Sequence, residues 1–335
     1  MKITKDTTLE QFIMEYGLQN KDYMIDPMSE IDINLLGDET YQEELCKITH
    51  GKNFRQLTLE EISRMAPDWK LAPMQAGLQF LADRMEKGKV FYDIWDDERK
   101  NVTGLTAFPA EKKSRFVLIC PGGGYLNVCS IAEGFPLAME MNRLGYAAFV
   151  LQYRTAEYAQ QPAPQEDAAR AVQFIMEHAD EFHVETDGYA VMGFSAGGHL
   201  AASWGTESLG WKKYGLPRPA AMMLGYPVIT MGEKTHADSR ARLLGEEHVR
   251  DEKLRNLYSV EQQITGKYPP SFIWQCAADA TVPIENTRLL VRSLEEKNVP
   301  HVYEVFPGTS HGWGLGTGTA AEGWVERAVK FWEEV

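Results

Sequence analysis

Gly193-Phe194-Ser195-Ala196-Gly197 follows the apolar run Tyr189 to Met192 and opens into the small-residue stretch Gly198-His199-Leu200-Ala201-Ala202. That pattern predicts a strand, a sharp turn and a helix, with a serine at the apex. Glycines on both sides let the backbone turn tightly enough to push the Ser195 hydroxyl out above a sheet, in a strained nucleophile elbow. A hydroxyl is a weak nucleophile at neutral pH, so this reading requires a histidine to take its proton and an acid to orient that histidine.

Both residue types follow in the order expected for such an elbow, acid first and histidine last. Ser271 to Cys276 reads as a buried strand and runs into Ala277-Ala278-Asp279-Ala280-Thr281-Val282-Pro283, which places Asp279 just past a strand end. A helical stretch with Thr287, Val291 and Leu294 on one face comes next, then the strand His301 to Phe306 and the loop Pro307-Gly308-Thr309-Ser310-His311-Gly312. Ser195, Asp279 and His311 thus sit at the carboxyl ends of separate predicted strands, where α/β sheets hold their ligands. Turn capping is the ordinary role of an aspartate before Pro283, and backbone contacts that of a loop histidine; their joint placement is what argues for chemistry. Asp238 is the rival acid, but it lies in an irregular region and follows no strand.

A tetrahedral intermediate needs fixed donors for its oxyanion. One is expected from the amide of Ala196, directly after the nucleophile. The other is expected from Pro121-Gly122-Gly123-Gly124-Tyr125, which follows the apolar strand Phe116 to Cys120. Gly123 and Gly124 are the expected donors and Gly122 the hinge. A phosphate nest is the competing reading of this loop, but no Gly-Lys-Ser/Thr or Gly-x-Gly-x-x-Gly pattern accompanies it. Tyr125 and Trp313, next to the glycines and to the histidine, are candidate substrate-pocket walls, with ordinary packing as the alternative.

With these residues together, the chain resembles the esterase/lipase branch of the α/β-hydrolases, and within it bacterial acetyl esterases, acetylxylan esterases and feruloyl-esterase-like proteins. The resemblance is carried by Pro-Gly-Gly-Gly-Tyr at 121–125, Gly-Phe-Ser-Ala-Gly-Gly-His at 193–199, Asp-Ala-Thr-Val-Pro at 279–283 and Ser-His-Gly at 310–312. It covers roughly residues 86–335 and implies hydrolysis of small carboxylic esters, often acetyl groups on sugars, without a cofactor. Pro121 stands where relatives of hormone-sensitive lipase carry histidine, and Phe194 where they carry aspartate. Both departures point to the acetylxylan or feruloyl-type branch.

The expected fold is the α/β-hydrolase fold, a mostly parallel eight-stranded sheet flanked by helices. Its strands are expected at 90–95, 103–108, 116–120, 147–151, 189–192, 220–224, 271–276 and 301–306. Ala168, Val172, Ile175, Ala179 and Phe182 recur at helical steps, as do Val325, Val329 and Trp332, which marks core-facing stripes. Residues 1–85 read as a helical extension, with helices near Leu9 to Tyr16, Thr40 to Cys46, Thr58 to Met65 and Ala76 to Lys87, set off by Gly and Pro breaks. Thr58 and Glu61 there form a capping-box pattern. A cap over the acyl pocket, a dimer element and plain cover for the sheet are the roles open to the extension. A lid-like insertion is expected at 231–268, with Arg240, Arg242 and Glu246 on a solvated face.

At 335 residues with 44% hydrophobic content the chain suits one large α/β domain with additions. A formal net charge of −14 offers no electrostatic basis for binding nucleic acid or an anionic membrane. No run approaches membrane-spanning length and the first residues carry no apolar signal core, so the expected location is the cytoplasm. Cys46, Cys120, Cys129 and Cys276 are compatible with reduced thiols, and no metal-ligand spacing occurs. The expected partner is a small-molecule ester, with a homo-oligomer left open. An amidase of the arylformamidase type or a peptidase-like hydrolase using the same triad is the nearest alternative. A non-catalytic binding protein on a hydrolase scaffold is the more distant one.

Overall fold

The computed structural model describes residues 1–26, 28 and 52–335. Eight strands form one sheet: β1 (Phe91–Tyr92), β2 (Gly104–Phe108), β3 (Phe116–Cys120), β4 (Ala147–Gln152), β5 (Ala190–Phe194), β6 (Ala221–Gly225), β7 (Ser271–Cys276) and β8 (His301–Phe306). Their order is β1-β2-β4-β3-β5-β6-β7-β8. The pairs β1·β2 and β2·β4 are antiparallel and every pairing from β4 to β8 is parallel. This is the α/β-hydrolase architecture that the motifs imply.

The sheet is covered on both faces, so its strands read as continuous apolar runs. Within β3, alternate residues serve opposite layers. Phe116, Leu118 and Cys120 join the core beneath the helices Ala163–Glu177, Ser195–Trp204 and Glu285–Glu296, through residues such as Val172, Leu200 and Leu290. Val117 and Ile119 join the other core, with Leu137 from the helix Phe135–Arg143 and Trp324 and Trp332 from Trp324–Glu334. The N-terminal helices Leu9–Glu15, Leu59–Met65 and Leu71–Met85 send Leu9, Phe12, Ile62, Leu78 and Leu81 into that second core. Each such fully buried side chain contributes about 1.5–3 kcal/mol of burial free energy. The described helices of the extension are therefore built onto one face of the sheet.

Several element boundaries differ from the sequence reading. The helix expected from Ala76 begins at Leu71, because Pro73 occupies the first turn, where its missing N–H has no intrahelical role to lose. The stripe from Ala168 to Phe182 spans two helices, Ala163–Glu177 and Ala179–Phe182, separated at His178 while the buried face carries on. The first strand contracts to two residues, since only Phe91 and Tyr92 pair with β2. The capping box is present, with Thr58 Oγ1 accepting from the Glu61 amide at 3.1 Å and Glu61 Oε2 from the Thr58 amide at 2.8 Å. The expected helix at Thr40 to Cys46 lies outside the described residues. The 231–268 region holds two short helices, Ala237–Leu244 and Glu252–Tyr258. Among the described residues, no helix is long and apolar enough to cross a membrane, and no group of three or more His, Cys, Asp or Glu is arranged to hold a metal ion.

Candidate active site

Five neighbouring strands, β3, β5, β6, β7 and β8, end on the same edge of the parallel sheet. The segments that follow them carry Gly122 to Gly124, Ser195, Tyr226, Asp279 and His311. Phe194 is extended, and Ser195 starts the next helix with φ at +52°, a left-handed conformation that side chains rarely adopt. Such a turn is possible only where strand and helix pass very close together. A Cβ at Gly197 would run into the carbonyl oxygen of Pro121, so no larger residue fits there.

His311 Nε2 lies 2.9 Å from Ser195 Oγ, and His311 Nδ1 lies 2.8 Å from Asp279 Oδ2. A carboxylate can only accept at Nδ1, so that nitrogen carries the proton and Nε2 presents its lone pair to the serine hydroxyl. Asp279 is itself held firmly. Its Oδ1 accepts from the amides of Thr281 and Val282 at 2.9 Å each, and its Oδ2 from Gln275 Nε2 at 3.2 Å. Gln275 is fixed in turn, donating to the Val282 carbonyl at 2.6 Å and accepting from Thr287 Oγ1 at 2.8 Å. Asp238 is exposed on the helix Ala237–Leu244, 4.0 Å from Arg242, and among the described residues has no bond to His311.

The glycine loop touches the serine. A Cβ placed on Gly122 would stand 2.9 Å from Ser195 Cβ. The Gly122 amide is not free, because it donates to Glu133 Oε2 at 2.7 Å. The amides of Gly123 and Gly124 have no hydrogen-bond partner among the described residues. Ala196 is the second residue of its helix, so its amide lies in the first turn, where helices leave N–H groups without intrahelical acceptors.

Tyr125 does not line open space, contrary to the reading from its neighbours in sequence. With φ at +58° it turns inward, its side chain is fully enclosed, and its hydroxyl lies 2.8 Å from His199 Nδ1. His199 Nε2 faces the Tyr258 carbonyl at 2.8 Å, which makes Nε2 the donor and Nδ1 the acceptor from Tyr125. Complete burial pushes the His199 pKa down to about 4, so the ring is neutral at pH 7. Trp313 is half-buried, with its ring 6.4 Å from that of Trp274.

Contacts invisible in the sequence also meet here. Asp68, between two helices of the N-terminal extension, accepts the backbone N–H of His311 through Oδ2 at 3.0 Å. Arg242 does not lie on a solvated face; its Nη1 donates to the Gly124 carbonyl at 3.0 Å. Arg240 likewise turns inward, donating to the Gly232 carbonyl at 2.7 Å. The 231–268 region therefore rests directly on the glycine loop. Buried Cys120, Cys129 and Cys276 are free thiols, and burial pushes Cys276 up to about 12, away from any nucleophilic role.

The BD-FAE family matches residues 107–211 of this chain. Endo-1,4-beta-xylanase B of Butyrivibrio fibrisolvens is 39% identical over 217 residues, covering 62% of this chain and 34% of that protein. The acetylxylan esterase of Xylanibacter ruminicola is 30% identical over 248 residues, covering 72% of this chain and 50% of the esterase. The chain thus spans at most half the length of these two curated relatives. Among solved structures, an acetyl ester-xyloside bifunctional hydrolase from Caldicellulosiruptor lactoaceticus superposes with a TM-score of 0.64 at 29% identity, covering 73% of this chain and 95% of the other.

Proposed function

We propose, from the premise that this chain has the α/β-hydrolase fold and resembles acetylxylan esterases, that it is a serine carboxylesterase acting through an acyl-enzyme. Its substrates in this reading are short-chain, acetyl-type esters of carbohydrates or small plant-derived molecules. The observation that carries the proposal is the unbroken hydrogen-bond chain Ser195 to His311 to Asp279 beside a loop with two free amides.

In the first step His311 Nε2 takes the Ser195 proton as Oγ attacks the ester carbonyl. Asp279 offsets the charge of the imidazolium and holds its orientation. The amides of Gly123, Gly124 and Ala196 receive the oxyanion, and loss of one such donor lowers kcat by roughly 10²–10³. His311 then passes its proton to the departing alcohol. Water, activated by the same nitrogen, releases the acid and restores the serine.

Residues 86–335 form the catalytic unit in this reading. Residues 1–85 act as a buttress that reaches the histidine loop through Asp68, and 231–268 forms a lid seated on the glycine loop. Half-buried Trp313 is assigned to the pocket wall.

The test is hydrolysis of p-nitrophenyl esters from acetate to octanoate by the protein and by Ser195→Ala. Cleavage of the short esters by the first and not the second is the expected result. A folded protein that cleaves none of them would remove the esterase reading.

A further inference from the structure

The catalytic reading leaves a second buried acid unused. Glu133 ends the short helix Ser130–Glu133 and is only 3% exposed. Both of its oxygens are engaged: Oε2 accepts the Gly122 amide at 2.7 Å, and Oε1 accepts the Tyr226 hydroxyl at 2.7 Å. Tyr226 is also buried and follows β6 directly. Its oxygen accepts the Gly314 amide at 2.9 Å, and its ring lies 4.7 Å from the His311 ring. No lysine or arginine pairs with Glu133 among the described residues, and burial pushes its pKa upward. Burying a carboxyl without a lysine or arginine partner is unfavourable, since the His311 ring attracts it only when charged, and an apolar side chain of similar volume would pack there at lower cost. The contacts of Glu133 indicate what it provides instead.

Gly122 packs against both the acid and the nucleophile. A Cβ there would stand 2.6 Å from Glu133 Oε2 and 2.9 Å from Ser195 Cβ. Gly122 directly precedes the two glycines whose amides are free, and Gly314 lies three residues after His311. One carboxyl group therefore connects the loop on one side of Ser195 to the loop on the other.

We propose that Glu133 is a positioning residue for ester cleavage, which with Tyr226 locks the oxyanion-binding loop and the His311 loop into a single geometry about Ser195. This deepens the serine-esterase reading and rests on it. Oxyanion donors act only when aimed at the place where charge develops, and a displacement of about 1 Å can lower the rate roughly 10²-fold. The device matters in the transition state more than in substrate binding. Its loss should therefore appear in kcat and leave KM nearly unchanged.

Two variants test it on p-nitrophenyl acetate. Glu133→Gln keeps the shape but replaces one acceptor oxygen with an NH₂ group, so either the Gly122 amide or the Tyr226 hydroxyl loses its acceptor and the coupling of the two loops is weakened. Tyr226→Phe keeps the ring against His311 and removes the hydroxyl that links Glu133 to Gly314. The expected result is a kcat lower by ~30-fold in Glu133→Gln and ~10-fold in Tyr226→Phe, with KM within about threefold of the parent. Affinity for a small alkyl boronic acid, which forms a tetrahedral adduct on the serine, should fall by similar factors while the melting transition stays cooperative. A kcat within twofold of the parent in a folded variant overturns the inference, as does a kcat loss without loss of boronate affinity. If Glu133→Gln does not fold, Tyr226→Phe decides alone. Ser195→Ala is run beside them: hydrolysis that persists in it removes the serine-esterase reading and this inference together. Serine-dependent hydrolysis untouched by Glu133→Gln and Tyr226→Phe removes only the positioning role.

Discussion

Asp279→Asn is the substitution whose outcome follows most closely from the hydrogen bonds. Oδ1 accepts two backbone amides at 2.9 Å, whereas Oδ2 accepts from Gln275 Nε2 at 3.2 Å and from His311 Nδ1 at 2.8 Å. An asparagine must keep its oxygen at the Oδ1 position, since the reverse orientation would set its NH₂ against two N–H donors. The NH₂ group then points at His311 Nδ1, which has to present a lone pair. The ring proton moves to Nε2, 2.9 Å from Ser195 Oγ, where the general base needs its own lone pair. A wrong tautomer of this kind lowers kcat by about 10⁴, equivalent to about 5.4 kcal/mol of barrier. The NH₂ group of the introduced asparagine, set against that of Gln275, should destabilise the fold by only about 1–3 kcal/mol. Steady-state hydrolysis of p-nitrophenyl acetate beside a urea melt separates the two effects. A cooperatively folding variant that keeps more than a tenth of the parent kcat would refute the reasoning.

Other sites give independent expectations. Asp68→Ala removes the acceptor of the His311 amide; at about 1 kcal/mol for such a bond, kcat should fall roughly fivefold, and an unchanged kcat would show that the extension does not support the site. Gly197→Ala drives a methyl into the Pro121 carbonyl and should lower stability by about 3 kcal/mol, whereas Gly88→Ala, which meets nothing within 4 Å, should unfold like the parent. His199 has a folded pKa of about 4 against 6.5 unfolded, so its contribution is complete above pH 6.5 and lost as pH falls towards 4. His199→Phe should thus be less stable than the parent at pH 7, with the gap narrower by roughly 2–3 kcal/mol at pH 4.5 in denaturant melts. A gap independent of pH would mean that His199 is charged in the folded protein.

What the sequence revealed and what it hid have separate physical origins. Ser195, Asp279 and His311 each follow an apolar run of strand length, so strand ends alone brought the three together on paper, and the structure sets them within hydrogen-bond distance. The strands were readable because both faces of the sheet are covered, which leaves apolar runs with few interruptions. Pro73 misled because a proline in a first turn resembles a break. Tyr125 misled because adjacency to the glycines says nothing about direction, and its positive φ turns the ring into the core. Glu133 reaches Tyr226, Tyr226 reaches Gly314 and Asp68 reaches His311 across long sequence separations. No local pattern marks such residues; a charged residue at the end of a short helix reads as surface until the fold encloses it.

A covalent acyl-enzyme on Ser195 can be trapped by acid-quenching the protein during turnover of p-nitrophenyl acetate and mapped by peptide mass spectrometry. The expected adduct is a single acetyl group on the peptide containing Ser195, absent from Ser195→Ala and accumulating when deacylation is slowed. Turnover with no adduct under any quench, or an acetyl group on another residue that persists in Ser195→Ala, would contradict it.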